Sequence, residues 1–139
     1  MPEDNTAAIQ SLYDAFGRGD IGFVIGMLDP RVEWNEAENF IYADRNPYIG
    51  PQAVLDGVFA RIDAEWDDFS ATPEEILGAG DTAIGLGRYR GTCKATGAHV
   101  DAQFVHVFKF AGGKIARFQQ FTDTAQFQDV VNHGRSARV

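Results

Sequence analysis

The stretch VDAQFVHVFKFAGGKIARFQQFT (Val100–Thr122) contains two runs of strand-like alternation on either side of the turn sequence AGG (111–113). It predicts strands at Val100–Phe110 and Lys114–Thr122 that form a tight hairpin. In the first strand every second residue is apolar except His106. Because alternate strand residues share one face, this imidazole is expected to point to the same side of the sheet as the phenylalanines.

Two more alternating runs precede the hairpin, and they predict strands at Phe69–Leu77 and Thr82–Thr92. A shorter run, RVEWNE (Arg31–Glu36), predicts another strand, and a polar and aromatic loop follows it. The region from Asp68 onward is therefore expected to form a long antiparallel sheet. The sequence GAGDTA (Gly78–Ala83) is similar to a dinucleotide fingerprint, but a strand follows where a helix is needed, so we predict no nucleotide site.

Helical spacing dominates the chain before this sheet. An N-terminal helix is predicted by an apolar stripe made of Ile9, Leu12, Tyr13 and Phe16. Asp20 is suited to cap a short second helix that ends at Pro30, and Pro51 is suited to begin a third helix. The spacing of Asp123 and Gln126 is typical of a capping box that starts a final helix. Helices followed by a curved sheet predict an α+β fold that can enclose a conical hollow.

Composition excludes several functions. The chain has 139 residues and a net charge of −8, which works against binding to nucleic acid. It contains no apolar run long enough to span a membrane, and its N-terminus lacks the charge and hydropathy order of a signal peptide. With the single cysteine Cys93 no internal disulfide can form, so we expect a cytoplasmic protein. The three histidines lack the spacing of metal ligands, so no metal is predicted.

Four motifs, in the order LYDAFGRGD, LDPRVEW, YIGPQAV and GGKIARFQQFTD, resemble the nuclear transport factor 2-like superfamily. Within it the chain looks most similar to the SnoaL-like branch of polyketide cyclases and ketosteroid isomerase relatives. The resemblance implies a single SnoaL-like domain at residues 1–139, built as a cone-shaped, curved antiparallel sheet wrapped around N-terminal helices. It also implies one deep pocket and a homodimer formed through the sheet. Because this fold hosts isomerases, cyclases, hydrolases, dehydratases and plain binding proteins, the resemblance does not define a reaction.

The resemblance also assigns positions to individual residues. Alignment with the ketosteroid isomerase hairpin places His106 where those enzymes keep a protonated aspartic acid, which suggests a hydrogen-bond donor to a ligand oxygen. The general base of the isomerase falls at Trp34, and its donor tyrosine falls at Leu12, with Tyr13 expected to face away. Two of the three catalytic positions are therefore lost. This loss argues against steroid isomerisation by that mechanism.

Two further charged residues are candidates whose roles stay open. Arg88 resembles the arginine of limonene epoxide hydrolases, but the aspartates expected around it are Arg90 and Gln120, which argues against that chemistry. Strand alternation does not decide whether Arg88 or its neighbour Tyr89 points inward. Asp123 lies near the acid/base aspartate of SnoaL-type cyclases, and its spacing to the next helix explains it equally well as a helix cap.

Glu36 is the second candidate for catalysis, because it shares a strand face with Trp34 and could supply the missing base. The alternative is a strand-end glutamate in water, and Glu38 is a weaker substitute. Gln120 is expected to point inward and to orient either His106 or a ligand. The other predicted ligand contacts are Trp34, Tyr42, Phe59, Trp66, Arg88, Phe104, Phe108 and Phe118. Their aromatic character predicts a pocket for a flat, apolar molecule.

Two main hypotheses follow. The first is a cofactor-free acid–base isomerase, cyclase or dehydratase that acts on a small apolar carbonyl compound, polyketide-like or steroid-like. His106 would donate to the substrate oxygen, and Glu36 would move the proton. Gln120 with Arg88 would orient the substrate. The alternative is a small-ligand-binding protein of the same fold without enzymatic activity. A third, weaker hypothesis is a protein-interaction role through the sheet.

Overall fold

The N-terminal helix packs against the sheet in the computed structural model, which describes residues 5–136. This helix, α1 (Asn5–Gly17), buries Ile9, Leu12 and Tyr13. These three positions belong to the stripe read from the sequence, so its apolar periodicity is confirmed.

The second helix, α2 (Ile21–Gly26), begins as predicted. The Asp20 carboxylate accepts a hydrogen bond from the backbone N–H of Phe23 at 3.2 Å and caps the helix. The predicted end at Pro30 is wrong, because strand β1 (Leu28–Asn35) has already begun there. Apolar residues shared by helix end and strand start made this boundary ambiguous in the sequence.

Three helical segments follow one another directly after the polar loop. Segment α3 (Pro51–Val54) begins at the predicted proline, a π-helical turn (Leu55–Phe59) comes next, and α4 (Ala60–Glu65) ends the run. Gly57, within the π-helical turn, packs against the ring of Tyr48, where any Cβ would overlap the ring. π-Helical turns occur frequently at functional sites, and this one faces the interior of the molecule.

Six strands form one sheet in the order β2-β1-β6-β5-β4-β3. The strands after β1 are β2 (Tyr48–Ile49), β3 (Trp66–Ala79), β4 (Thr82–Cys93), β5 (His99–Ala111) and β6 (Lys114–Thr122). Strands β4, β5 and β6 agree with the prediction to within one residue at each end, whereas β3 is longer than predicted. The sheet is mixed, because β1 pairs with β6 in parallel while the other pairs are antiparallel. No hairpin joins β1 to β6, so their relative direction could not be read from a turn.

The alternation in β5 is confirmed in full. Six of its residues are buried on one face, namely Val100, Ala102, Phe104, His106, Phe108 and Phe110. On the neighbouring strand β6, Phe118 and Gln120 pair with Phe108 and His106 and are buried with them. The hairpin therefore brings one imidazole and one amide into the apolar interior.

The final helix, α5 (Thr124–His133), covers part of the same face through Phe127 and Val130. The Asp123 carboxylate accepts a hydrogen bond from the backbone N–H of Gln126 at 3.2 Å, which is the predicted capping interaction. Among the helices that the structure describes, none has both the length and the hydropathy to cross a membrane.

Candidate functional site

A cavity lies between α1, the α3–α4 run and the inner face of the sheet. The cavity has a volume of about 50 Å³, which is room for only a few water molecules or ligand atoms. Most of the wall is apolar. The polar groups that reach the cavity belong to Tyr13, Trp34, Glu36, Tyr89, His106 and Gln120.

His106 stands on one side of this cavity and both of its ring nitrogens are occupied. Nδ1 lies 2.7 Å from the Tyr13 hydroxyl, and Nε2 is hydrogen-bonded to the Tyr89 hydroxyl. Phe104 stacks on the ring with its centroid 4.0 Å away. Burial lowers the pKa of His106 from 6.5 to about 3, because loss of water penalises the charged form. The imidazole is therefore neutral near pH 7 and carries one N–H and one bare nitrogen.

Gly85 provides the space that Tyr13 needs to reach this histidine. Gly85 pairs with His106 across β4 and β5, and a Cβ on Gly85 would overlap the Tyr13 hydroxyl. The expectation that Tyr13 faces away is wrong. Leu12 and Tyr13 are adjacent on a helix whose apolar face is wide enough to bury both side chains, and both are buried.

Gln120 extends the hydrogen-bonded group on this side. Its Nε2 donates to the Tyr89 hydroxyl at 2.9 Å, and its Oε1 accepts from the Ala37 backbone N–H at 3.0 Å. The predicted inward orientation of Gln120 is confirmed, although its side-chain amide donates its hydrogen bond to Tyr89 and not to the ring of His106. We call Tyr13, His106, Tyr89 and Gln120 the histidine side of the cavity.

Glu36 and Trp34, at the end of β1, form a second polar group in the cavity, which we call the glutamate side. Glu36 is only 3% exposed, and one of its carboxyl oxygens, Oε2, accepts a hydrogen bond from Trp34 Nε1 at 3.2 Å. Burial raises the pKa of Glu36 from 4.5 to about 8, while the Trp34 hydrogen bond and the charge of Arg61 oppose this rise. The carboxyl group is therefore mostly protonated at pH 7, and it can both give and take a proton near that pH.

The side chain of Asn46 binds both backbone polar groups of Glu36. Asn46 Oδ1 accepts from the Glu36 backbone N–H at 3.0 Å, and Asn46 Nδ2 donates to the Glu36 carbonyl at 2.8 Å. Within residues 5–136, no protein group is hydrogen-bonded to the second carboxyl oxygen, Oε1. The carboxyl group is thus fixed in position with one oxygen left for a ligand or water in the cavity.

Seven of the predicted site residues line the cavity together, namely Trp34, Glu36, Phe59, His106, Phe108, Phe118 and Gln120. Three other predicted ligand contacts are buried but lie behind its wall. Phe104 packs against the far side of His106, and Trp66 Nε1 donates to the Tyr42 hydroxyl at 3.1 Å. These aromatic residues support the wall rather than form it, a distinction that burial patterns alone cannot make.

Arg88, whose orientation the sequence left open, does not line this cavity. Its Nε donates to Asp101 on the outer face of the sheet at 2.7 Å. The alternative that Tyr89 and the glycines beside it form the inner face of β4 is confirmed. Asp123 serves as the helix cap described above, and Glu38 is exposed.

Four side chains line both the cavity and an open depression on the surface: Phe16, Phe59, Ile62 and Phe69. They come from the end of α1, the π-helical turn, α4 and β3. These four side chains therefore form the boundary that the cavity and the depression share. We call this group the entrance.

Sequence reasoning missed Tyr13, Tyr89 and Gly85 as parts of the site. The available signal for Tyr89 was its alternation with two glycines, since a strand face with glycines accommodates bulky groups from elsewhere. The signal for Tyr13 was its place in the helical stripe. Among residues 5–136, no group of three or more histidine, cysteine or acidic side chains is arranged to hold a metal ion.

Helices on one face of a six-stranded mixed sheet, with a buried cavity between them, define the nuclear transport factor 2-like class of folds. The profile of the SnoaL-like domain family matches residues 9–118, and the chain belongs to that family. No curated protein of established description matches the chain at a significant level.

Solved structures agree with this assignment. An NTF2-like protein from Burkholderia thailandensis E264 is 32% identical, with a TM-score of 0.87 over 91% of this chain and 96% of its own. An NTF2-like protein of unknown function from Burkholderia pseudomallei K96243 is 24% identical, with a TM-score of 0.84 over 94% and 98%. TerC, co-crystallised with polyporic acid, is 23% identical, with a TM-score of 0.80 over 91% and 97%. The last two similarities concern the fold alone.

Proposed function

We propose that the protein binds a small, largely apolar organic molecule with a carbonyl-type oxygen, and that Glu36 exchanges a proton with this molecule without a cofactor. The buried carboxyl group of Glu36 carries the proposal. Its pKa of about 8 lies near the pH at which a cytoplasmic enzyme works. A general acid or base is most effective when its pKa is close to the working pH.

The shape of the site supports a ligand that is larger than the cavity itself. About 50 Å³ is too little for a polyketide-like or steroid-like compound. The entrance, however, adjoins a surface depression that is much larger than the cavity. A ligand could place its reactive oxygen between the two polar sides and extend its apolar part past Phe16 and Phe59. TerC, of the same fold, was co-crystallised with polyporic acid.

Proton transfer next to a carbonyl group is the step that isomerisation, cyclisation and dehydration share. Glu36 supplies the group that moves the proton in this proposal. His106 keeps an indirect role, because both of its nitrogens bind tyrosine hydroxyls and neither is free for a ligand. The donor to the ligand oxygen is therefore assigned to the tyrosines on the histidine side.

The test is proton exchange into a panel of small cyclic and aryl ketones, measured by NMR as incorporation of deuterium from solvent beside the carbonyl group. We expect exchange with the wild-type protein and a loss of about 10²- to 10⁴-fold in Glu36→Gln. The matched control is Glu38→Gln, an exposed glutamate on the same stretch, which should exchange at the wild-type rate. Equal rates in both variants would remove Glu36 from the mechanism.

A binding protein without catalysis is the second candidate. The observation that favours it is the mutual satisfaction of the polar groups on the histidine side, which makes that side stable without a substrate. This candidate predicts ketone binding, detected as chemical-shift changes of cavity residues, with no deuterium incorporation in any variant. The exchange experiment thus separates the two candidates.

Homodimerisation through the outer face of the sheet is a further part of the proposal. Leu86, Val105 and Phe121 pair across β4, β5 and β6 and form an apolar row, and Phe121 is 53% exposed. Covering such a row stabilises an association by removing apolar surface from water. Light scattering should give twice the mass of the 15.3 kDa chain for the wild type and the monomer mass for Phe121→Glu. A monomeric wild type would contradict this part.

A further inference from the structure

The hydrogen bonds on the histidine side form one chain, and one end of that chain has a fixed direction. The backbone N–H of Ala37 can only donate, so it must bind the carbonyl oxygen of the Gln120 amide. The amide NH₂ of Gln120 is then the atom group that faces Tyr89, and it can only donate. The Tyr89 oxygen therefore accepts one hydrogen bond before His106 is considered.

Two arrangements remain for Tyr89, His106 and Tyr13. The two hydroxyls and the neutral imidazole carry three protons but make only two hydrogen bonds with one another. If His106 Nε2–H donates to Tyr89, the Tyr89 oxygen accepts twice and the Tyr13 oxygen accepts nothing. If Tyr89 donates to Nε2, then Nδ1–H donates to Tyr13, and each hydroxyl oxygen accepts once.

The second arrangement is more favourable because it leaves no buried hydroxyl oxygen without a donor. It also aligns the bonds head to tail, and hydrogen bonds in such a chain polarise and strengthen one another. In this arrangement the surplus proton is on Tyr13. Within residues 5–136 the Tyr13 hydroxyl has no hydrogen-bond partner apart from His106, and Tyr13 lines the cavity.

We propose that Ala37 N–H, Gln120, Tyr89, His106 and Tyr13 form a hydrogen-bond chain with a single direction, which holds His106 as its Nδ1–H tautomer and presents the Tyr13 hydroxyl proton to the ligand. Gln120 is then a positioning residue that sets the direction of the chain from its far end. The ligand class follows. This side of the cavity presents a donor, which suits a ligand oxygen that receives a hydrogen bond, such as a ketone or enolate oxygen.

The direction of the chain is tested in the empty protein, so this test does not depend on the proposed function. Long-range ¹H–¹⁵N NMR correlations of the imidazole show which ring nitrogen is protonated. We expect Nδ1–H in the wild type and a mixture of both tautomers in Gln120→Leu, where the donor that sets the direction at Tyr89 has been removed. An Nε2–H tautomer in the wild type would overturn the proposal, and so would an undiminished preference for Nδ1–H in Gln120→Leu.

The assignment of Tyr13 as the donor to the ligand rests on the proposed function. It is tested with cyclohexanone as an infrared reporter. Bound to the wild type, its C=O band should move to lower frequency, because a hydroxyl donor weakens the bond. The shift should disappear in Tyr13→Phe and persist in Tyr89→Phe. A band that shifts equally in both variants, or no bound ketone at saturating concentration, overturns the assignment of Tyr13 as the donor. The proton-exchange result for Glu36 is independent of this outcome.

Discussion

The two polar sides of the cavity differ in how completely their groups are paired. On the histidine side, both ring nitrogens of His106 have partners, and Gln120 donates a hydrogen bond to the Tyr89 hydroxyl. On the glutamate side, Glu36 has one hydrogen bond to its carboxyl group, from Trp34, and its other oxygen is left to the cavity. A fully paired group sets geometry, whereas a fixed group with an unused position can exchange protons or bind a ligand. The difference thus separates the positioning side from the reactive side.

The same physical cause moves the two pKa values in opposite directions. Burial penalises charge, so it lowers the pKa of His106 to about 3 and raises that of Glu36 to about 8. Both groups are therefore neutral between these values. The chain has a net charge of −8, yet the cavity carries little charge at neutral pH. A neutral, largely apolar ligand is the chemistry that such an interior accommodates best.

The largest predicted effect tests the opposite pKa shifts of Glu36 and His106 through the pH dependence of stability. The folded protein holds the Glu36 proton more tightly than the unfolded chain, so Glu36 favours folding below pH 4.5 and this contribution is lost as the pH rises to about 8. In Glu36→Gln the loss should be absent. As the pH rises from 4.5 to about 8, the free energy of unfolding of the variant should increase relative to that of the wild type. We expect this relative increase to be on the order of 4 kcal/mol, measured by urea unfolding.

The variant His106→Gln should change the pH dependence of the free energy of unfolding in the opposite direction. The pKa of His106 is lower in the folded state, so its contribution is present above pH 6.5 and is lost as the pH falls toward 3. Between pH 4.5 and 6.5 the two contributions cancel in the wild type and leave a plateau. Removing either residue should tilt that plateau, upward with pH in Glu36→Gln and downward in His106→Gln. Parallel curves for the wild type and both variants would mean that neither group is buried in its neutral form.

The positioning side illustrates how far the sequence alone can lead. Two-residue periodicity placed His106 and Gln120 on the buried face, because the geometry of a strand leaves no other choice once the apolar set is identified. The helical stripe likewise placed Tyr13 on the buried face of α1. The error on Tyr13 came from the alignment to a distant enzyme, which shifted the donor position to Leu12. Local periodicity was the better guide in this case.

Other features of the site were beyond sequence reasoning. Both alternating sets of β4 contain apolar or small residues, so periodicity could not decide between Arg88 and Tyr89. The need for Gly85 depends on a tyrosine that arrives from α1, a contact between elements far apart in the chain. The unpaired position on Glu36 depends on Trp34 and Asn46 together. Each of these features depends on a tertiary contact, and a local sequence pattern does not predict such a contact.

The smallest predicted effect tests the positioning side directly through Gly85→Ala. A methyl group at this position overlaps the Tyr13 hydroxyl, so Tyr13 must withdraw from His106 or the strands must shift. Overpacking of this kind costs about 1–3 kcal/mol, and we expect a loss in this range by urea unfolding.

The matched control is Gly26→Ala at the end of α2, where a Cβ meets nothing within 4 Å, and its stability should change by less than about 0.5 kcal/mol. Proton exchange into ketones should survive in Gly85→Ala with a higher KM, because Glu36 is untouched while the donor is displaced. If Gly85→Ala is as stable as the control, Tyr13 does not occupy the space above Gly85. His106 would then have a free ring nitrogen. The histidine side would no longer be fully paired, and it would not differ from the glutamate side in this respect.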